Sequence, residues 1–130
     1  MKRHAALLQL SREHHHALKM SRQARFACDA GLTAAIAQAA ETICERFRNE
    51  LEPHFQSEEA DLLPALAAAG AAGLVQRTLA EHAELRDLYR RLAEPNGETL
   101  DRFATLLNDH VRFEERELFE TAQRLLYPEA

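Results

Sequence analysis

His54-Phe55-Gln56-Ser57-Glu58-Glu59-Ala60-Asp61-Leu62-Leu63 returns in outline as His110-Val111-Arg112-Phe113-Glu114-Glu115-Arg116-Glu117-Leu118-Phe119. Both stretches read H-x-x-x-E-E-x-[DE]-L and then an apolar residue, and each continues an apolar stripe of helical period. Before the first copy the stripe is Ile36, Ala40, Ile43, Phe47 and Leu51; around the second it is Leu100, Phe103 and Leu107, resuming at Leu118 and Leu125. Residues four apart lie on one helix face, about 6 Å along the axis. An inward His54 is therefore stacked with Glu58, and an inward His110 with Glu114.

The same period runs through two further stretches. One carries Leu7, Leu10 and Leu18 with His14 between them, the other Val75, Leu79, Leu85, Tyr89 and Leu92 with His82 between them. Turn signals separate the four: Asp29-Ala30-Gly31-Leu32 with Thr33 as a helix N-cap, Pro64 with the small-residue run to Gly73, Pro95-Asn96-Gly97, and a closing Pro128. Pro53 lies inside the second stretch and should kink it or loosen a turn, because it removes the hydrogen bond to the carbonyl four residues back. The expected fold is all-α, an antiparallel up-down-up-down four-helix bundle occupying residues 1–130 as one domain.

Composition agrees. The 130 residues are rich in Ala, Leu, Glu and Arg, with four Gly, four Pro and few β-branched side chains. A net charge of −5 with interspersed signs offers no field for neutralising phosphates, which argues against nucleic acid. No window has transmembrane length and the N-terminus has no signal-peptide core, so a soluble, cytoplasmic protein is expected. Cys28 and Cys44 have no metal-like spacing and read as core or flanking residues.

Glutamates on a core stripe need compensation, since a carboxylate is costly to desolvate alone. Arg25 and Arg86, near the stripe edges, are the only cations in reach, so a metal cation is the better partner. Imidazole and carboxylate suit iron, manganese or zinc, and six side chains exceed what one tetrahedral zinc takes. The candidate ligands are His14, His54, Glu58, His82, His110 and Glu114, around two metal ions bridged by Glu58 and Glu114. In His14-His15-His16 one ring faces inward, by periodicity His14, with His15 the alternative; His16 and His4 read as surface. Glu59, Glu115 and Glu117 read as solvated or as neighbours of the ligands, Glu13 and Glu81 as pointing elsewhere on their helices with the orienting of imidazoles as an alternative role, and Phe55, Phe113 and Phe119 as packing. Depth along the bundle fits for three helices, but His54 lies further from Gly31 than His14 does by about six residues, roughly 9 Å. A ferritin-like site would need Glu-x-x-His on two helices, and only Glu13 and His16 have that spacing.

On these residues, over essentially the whole chain, the sequence resembles the hemerythrin, or HHE cation-binding, family. The resemblance implies a helical bundle with a non-haem di-iron centre, two bridging carboxylates and an open position where dioxygen can bind. Two departures stand out. The oxygen carriers have H-x-x-x-H on the third helix, where the partner of His82 is here Thr78 or Arg86. Their fourth-helix carboxylate is an Asp five residues after the His, a place held here by Glu115. The implied site is more open and more symmetric, which weakens the case for simple reversible oxygen carriage. The leading expectation is a di-iron protein binding dioxygen, nitric oxide or peroxide, with His14 and His54 on one iron and His82 and His110 on the other. An oxidoreductase turning over oxygen or peroxide, and a metal-free interaction module on which chelation would have no effect, are the alternatives; if the stripe is instead a core of neutral histidines, the fold should fail in mild acid even without metal.

Overall fold

The computed structural model describes residues 2–128. Helix α1 (Ala5–Ala30) starts at His4, whose Nδ1 accepts the Ala6 amide at 3.0 Å, and the His4 ring stacks on Tyr127. It ends at Gly31, which at φ 69° takes the left-handed conformation that only glycine adopts cheaply. Leu32 is extended and closes the reversal, so Thr33 is already helical and is not the N-cap expected of it.

The second rod is one continuous helical run with two widened turns: α2 (Thr33–Arg46), a π turn (Phe47–Leu51), α3 (Glu52–Ser57), a second π turn (Glu58–Leu62) and α4 (Leu63–Ala68). Pro53 and Pro64 each lie two residues beyond a π turn, as the second residue of α3 and of α4. A π turn moves the hydrogen bond from the fourth to the fifth residue. The ladder thus passes from the Phe47 carbonyl to the Glu52 amide and from the Glu58 carbonyl to the Leu63 amide, each just ahead of a proline that has no amide to give. For that reason the rod runs through Pro64, and of the separation expected at Pro64 with the small-residue run to Gly73 only the run makes the break. The break comes at Ala69–Ala71, where Gly70 sits at φ 98°.

The third rod is α5 (Ala72–Arg91). The fourth comprises α6 (Gly97–Phe113), a third π turn (Glu114–Leu118) and α7 (Phe119–Leu126). Asn96 caps α6, its side-chain oxygen accepting the Thr99 amide at 2.8 Å. Helix α1 packs on α2 and along α6, and α5 packs on α4 and α6, giving the all-α antiparallel four-helix bundle. No helix among the described residues is long and apolar enough to cross a membrane.

The apolar core comes in two parts. One surrounds Ala24, Ile43, Phe47, Leu85, Leu100 and Phe103; the other surrounds Leu7, Leu63, Leu66, Val75, Leu118 and Phe119. Between them lies a buried polar layer of His14, His54, Glu58, Thr78, His82, His110 and Glu114. Leu79 and Leu125, placed on core stripes by their spacing, are exposed at 43% and 41%. On α5 the inward place one turn before His82 belongs to Thr78, whose hydroxyl donates to the Leu74 carbonyl. Part of the depth mismatch of His54 is taken up at the top of the bundle. Gly97 lies against both Cys28 and Ile36, so the first turn of α2 overhangs the end of α1, and the π turn at Phe47–Leu51 takes up a further residue.

Candidate metal centre

Each of the six inward side chains comes from a regular position. His14 projects from α1 between Leu10 and Ala17, His82 from α5 between Thr78 and Leu85, and His54 and His110 lie one turn before Glu58 and Glu114. Glu58 and Glu114 each open a π turn. The widening puts two consecutive apolar residues in the core on the far side, Leu62 with Leu63 and Leu118 with Phe119, and so continues the stripe past the polar layer. His14 faces inward while His15 and His16 are exposed, which decides between the two open assignments.

All six side chains converge on one point. Glu58, His82 and Glu114 have no solvent exposure, and the other three are buried. His14 Nε2 lies 2.8 Å from Glu114 Oε1, and His54 Nε2 lies 3.7 Å from the same oxygen and 3.3 Å from Glu58 Oε2. On the other side His82 Nε2 lies 3.1 Å from Glu58 Oε1 and 3.9 Å from Glu114 Oε2, and His110 Nε2 lies 3.3 Å from that Oε2. Each carboxylate thus turns one oxygen to the pair His14 and His54 and the other to the pair His82 and His110. Within each group of four the ligand atoms lie within 4.8 Å of one another. Metal–ligand bonds of about 2 Å set neighbouring ligands of one ion about 3 Å apart and opposite ones about 4 Å apart. The spacings match.

Most of these atoms have no hydrogen bond. Nε2 of His54, His82 and His110, both oxygens of Glu58 and Oε2 of Glu114 are buried and unbonded among the described residues. Orphaned polar atoms in a dry core are expensive, and six of them aimed at one another fit a pair of cations held between them. Neither Arg86 nor Arg25 supplies the compensation. Arg86 binds Glu52 and Glu59, and Arg25 binds Asp101 at the surface. Arg86 and Thr78 are therefore not ligands in the place of a further third-helix histidine; each is already engaged elsewhere.

The outer ring nitrogens are all bonded. Nδ1–H of His14 donates to Glu115 at 2.6 Å, that of His54 to Glu13 at 2.7 Å, that of His82 to Glu59 at 2.7 Å and that of His110 to Glu81 at 2.6 Å. Of the two readings open for Glu59 and Glu115, neighbours of the ligands is the one found; which imidazole each reaches could not be read from periodicity, which tells which way a residue points, not how far its side chain reaches. The aromatic residues lie close as well: Phe119 stacks on His14 and Phe55 on His82. Those two phenylalanines do not correspond in the internal repeat, so its pseudo-twofold symmetry is broken beside the imidazoles.

The charges of the core polarise one another strongly without a cation. Burial pulls the pKa of His54 down, but Glu114 and Glu58 outweigh it and push it up to about 11. His110 is likewise lowered by burial and raised by Glu114, Glu81 and Glu58 to about 10, and His14 is raised by Glu114 and Glu115 against its burial. Burial would raise Glu114, yet His110, His14 and His54 hold it well below the carboxylate range. Glu59, Glu81 and Glu115 are lowered against burial by their imidazole partners and by Arg86, Arg77 and Arg3 respectively. Metal ligation must displace protons from these rings, so metal binding and pH are linked here.

A cavity of about 280 Å3 opens between α1 and the second rod. Gln9, Glu13, Asn49 and Glu50 stand at its rim, and His14, His54 and His110 at its floor with Met20, Leu107 and Val111.

Comparison with known proteins agrees with this geometry. No curated protein and no solved structure matches the chain. The family described as hemerythrin HHE cation binding domain matches residues 6–122, which include all six converging side chains. A helical bundle with a buried His/Glu cluster and a family match over nearly its whole length leads to one assignment: the chain belongs to the hemerythrin HHE cation-binding domain family.

Proposed function

We propose that this is a non-haem di-iron protein that binds dioxygen or a related small molecule, such as nitric oxide or peroxide, in the service of sensing, storage, detoxification or iron handling. His14 and His54 would hold one iron, His82 and His110 the other, and Glu58 and Glu114 would bridge them. The observation that carries this reading is the division of each buried carboxylate, one oxygen toward each imidazole pair, with most of the facing atoms unbonded.

Two nitrogens and two oxygens per position complete a tetrahedral zinc but leave a six-coordinate ion room for further ligands. Iron bound in this way would supply reversible one-electron chemistry and coordination positions for a small molecule. The protein's own contribution is to orient the imidazoles, to keep both carboxylates in a core nearly free of water, and to offer the cavity beside His14 and His54 as a route from the surface.

The test is metal content by elemental analysis on protein purified without chelators, read with the visible absorption spectrum. About two irons per chain with the absorption of a coupled ferric pair, both lost in His54→Ala, is the expected result. No stoichiometric metal from aerobic or anaerobic preparations would sink the reading.

A further inference from the structure

Four carboxylates outside the proposed ligand set close a ring around it. Glu13 on α1 reaches His54 on the second rod, and Glu59 on the second rod reaches His82 on the third. Glu81 on the third rod reaches His110 on the fourth, and Glu115 on the fourth returns to His14 on α1. Every rod gives one carboxylate to the next and receives one imidazole N–H from it. Each ring carboxylate is also the immediate sequence neighbour of an inward residue: Glu13 of His14, Glu59 of Glu58, Glu81 of His82, Glu115 of Glu114. Neighbours on a helix point about 100° apart, so when one faces the centre the other can span the seam to the adjacent rod.

We propose that Glu13, Glu59, Glu81 and Glu115 are positioning residues. They fix all four imidazoles with Nε2 inward and make the layer a preformed receptor for a pair of cations, one hydrogen bond across each of the four seams. The proposal rests on the dinuclear reading above. A carboxylate only accepts, so the Nδ1 facing it must carry the proton, and the Nε2 lone pair is left for a metal. A charged acceptor on the outer nitrogen also strengthens the ring as a ligand. Three of the four are themselves anchored: Glu59 by Arg86 at 2.9 Å, Glu81 by Arg77 at 3.1 Å, and Glu115 by Arg3 at 3.0 Å with Ser11 at 2.8 Å. Glu13 has Gln9 at 3.2 Å and no arginine among the described residues, and it borders the cavity. The His54 corner is the least braced, so Glu13 is the residue whose loss should free its ring most cleanly.

Zinc serves as a diamagnetic probe, with affinity measured by calorimetry and the imidazole N–H groups followed by nitrogen-15 NMR. The wild-type zinc complex should show four slowly exchanging Nδ1–H signals. Glu13→Ala should lose the His54 signal and keep the other three, and its zinc affinity should fall about 10- to 100-fold. Glu13→Gln still offers an acceptor oxygen, and should restore the signal and most of the affinity. Matching Ala and Gln variants of Glu59, Glu81 and Glu115 should each affect the ring they face, the Gln set guarding against loss of fold. Ala variants that keep four signals and wild-type affinity would overturn the positioning role while leaving the dinuclear reading intact. A wild-type protein that takes up neither zinc nor iron would overturn the dinuclear reading instead.

Discussion

At Glu58 the charge of a neighbouring ring decides stability in the absence of metal. Glu58 is one of the two carboxylates that raise His54, so in the metal-free protein at neutral pH it faces a protonated imidazole. Glu58→Met, of similar length and apolar, removes that partner and should destabilise the metal-free protein by about 3–5 kcal/mol in urea unfolding. The same variant should lose metal uptake. A variant as stable as wild type, or more stable, would show that Glu58 is not paired with the His54 charge without metal. The raised pKa values set a second expectation. Protonation of His54 and His110 contributes stability that is complete below the ordinary imidazole range and is lost as pH rises toward about 11 and about 10. Glu114, held low, contributes stability that is present above the ordinary carboxylate range and lost as pH falls below it. The metal-free protein should therefore lose thermal midpoint between about pH 7 and pH 10, while metal affinity rises over the same range. A midpoint that is flat or rising there would contradict these assignments. This reverses what a stripe of neutral core histidines would do, which is to fail in mild acid. At this scale the six inward residues were legible because four-residue spacing places them on apolar stripes. Their Nδ1 partners were legible only as candidates, Glu59 and Glu115 as neighbours of the ligands and Glu13 and Glu81 as orienting groups, because which ring an acidic residue reaches is not fixed until the neighbouring helix is known.

Helical stretches and their order follow from the turn signals, but the interior of the second rod does not. Pro53 reads as a kink or a loosened turn, and Pro64 with the run to Gly73 as a separation; the structure loosens a turn ahead of each proline and continues the rod. The turn at Glu114–Leu118 shows that a proline is not what creates the widening, since the position equivalent to Pro53 and Pro64, two residues beyond the turn, is Glu120. What the turns at Glu58 and Glu114 share is a glutamate aimed at the centre and a buried apolar pair beyond it. Pro64→Ala should accordingly keep the π turn, change stability by less than about 1 kcal/mol and leave metal affinity within about twofold, in contrast to the ~3 kcal/mol that separates proline from alanine in a regular helix interior. Amide exchange and unfolding of the variant check this. A gain near 3 kcal/mol would show that the proline strains the rod after all.

Across the whole molecule the polar layer separates two apolar cores, each drawing on all four rods. Neither core needs the layer for its own packing, so removing metal should leave the helices formed and lower their stability. A ligand bound only by the folded state stabilises by RT ln(1 + [L]/Kd), about 2.7 kcal/mol at a hundredfold excess over Kd. For a chain of this size that corresponds to a thermal shift on the order of 10 °C. Chelation should thus lower the midpoint by that order while far-UV circular dichroism at 25 °C stays unchanged, and readdition of ferrous iron under anaerobic conditions should restore it. If chelation collapses the helical signal, the two cores do not stand without the layer, and the ring of carboxylates does not preform the site. If it moves neither the signal nor the midpoint, the buried glutamates are neutralised by their imidazoles alone, and the interaction-module reading takes the place of the di-iron one.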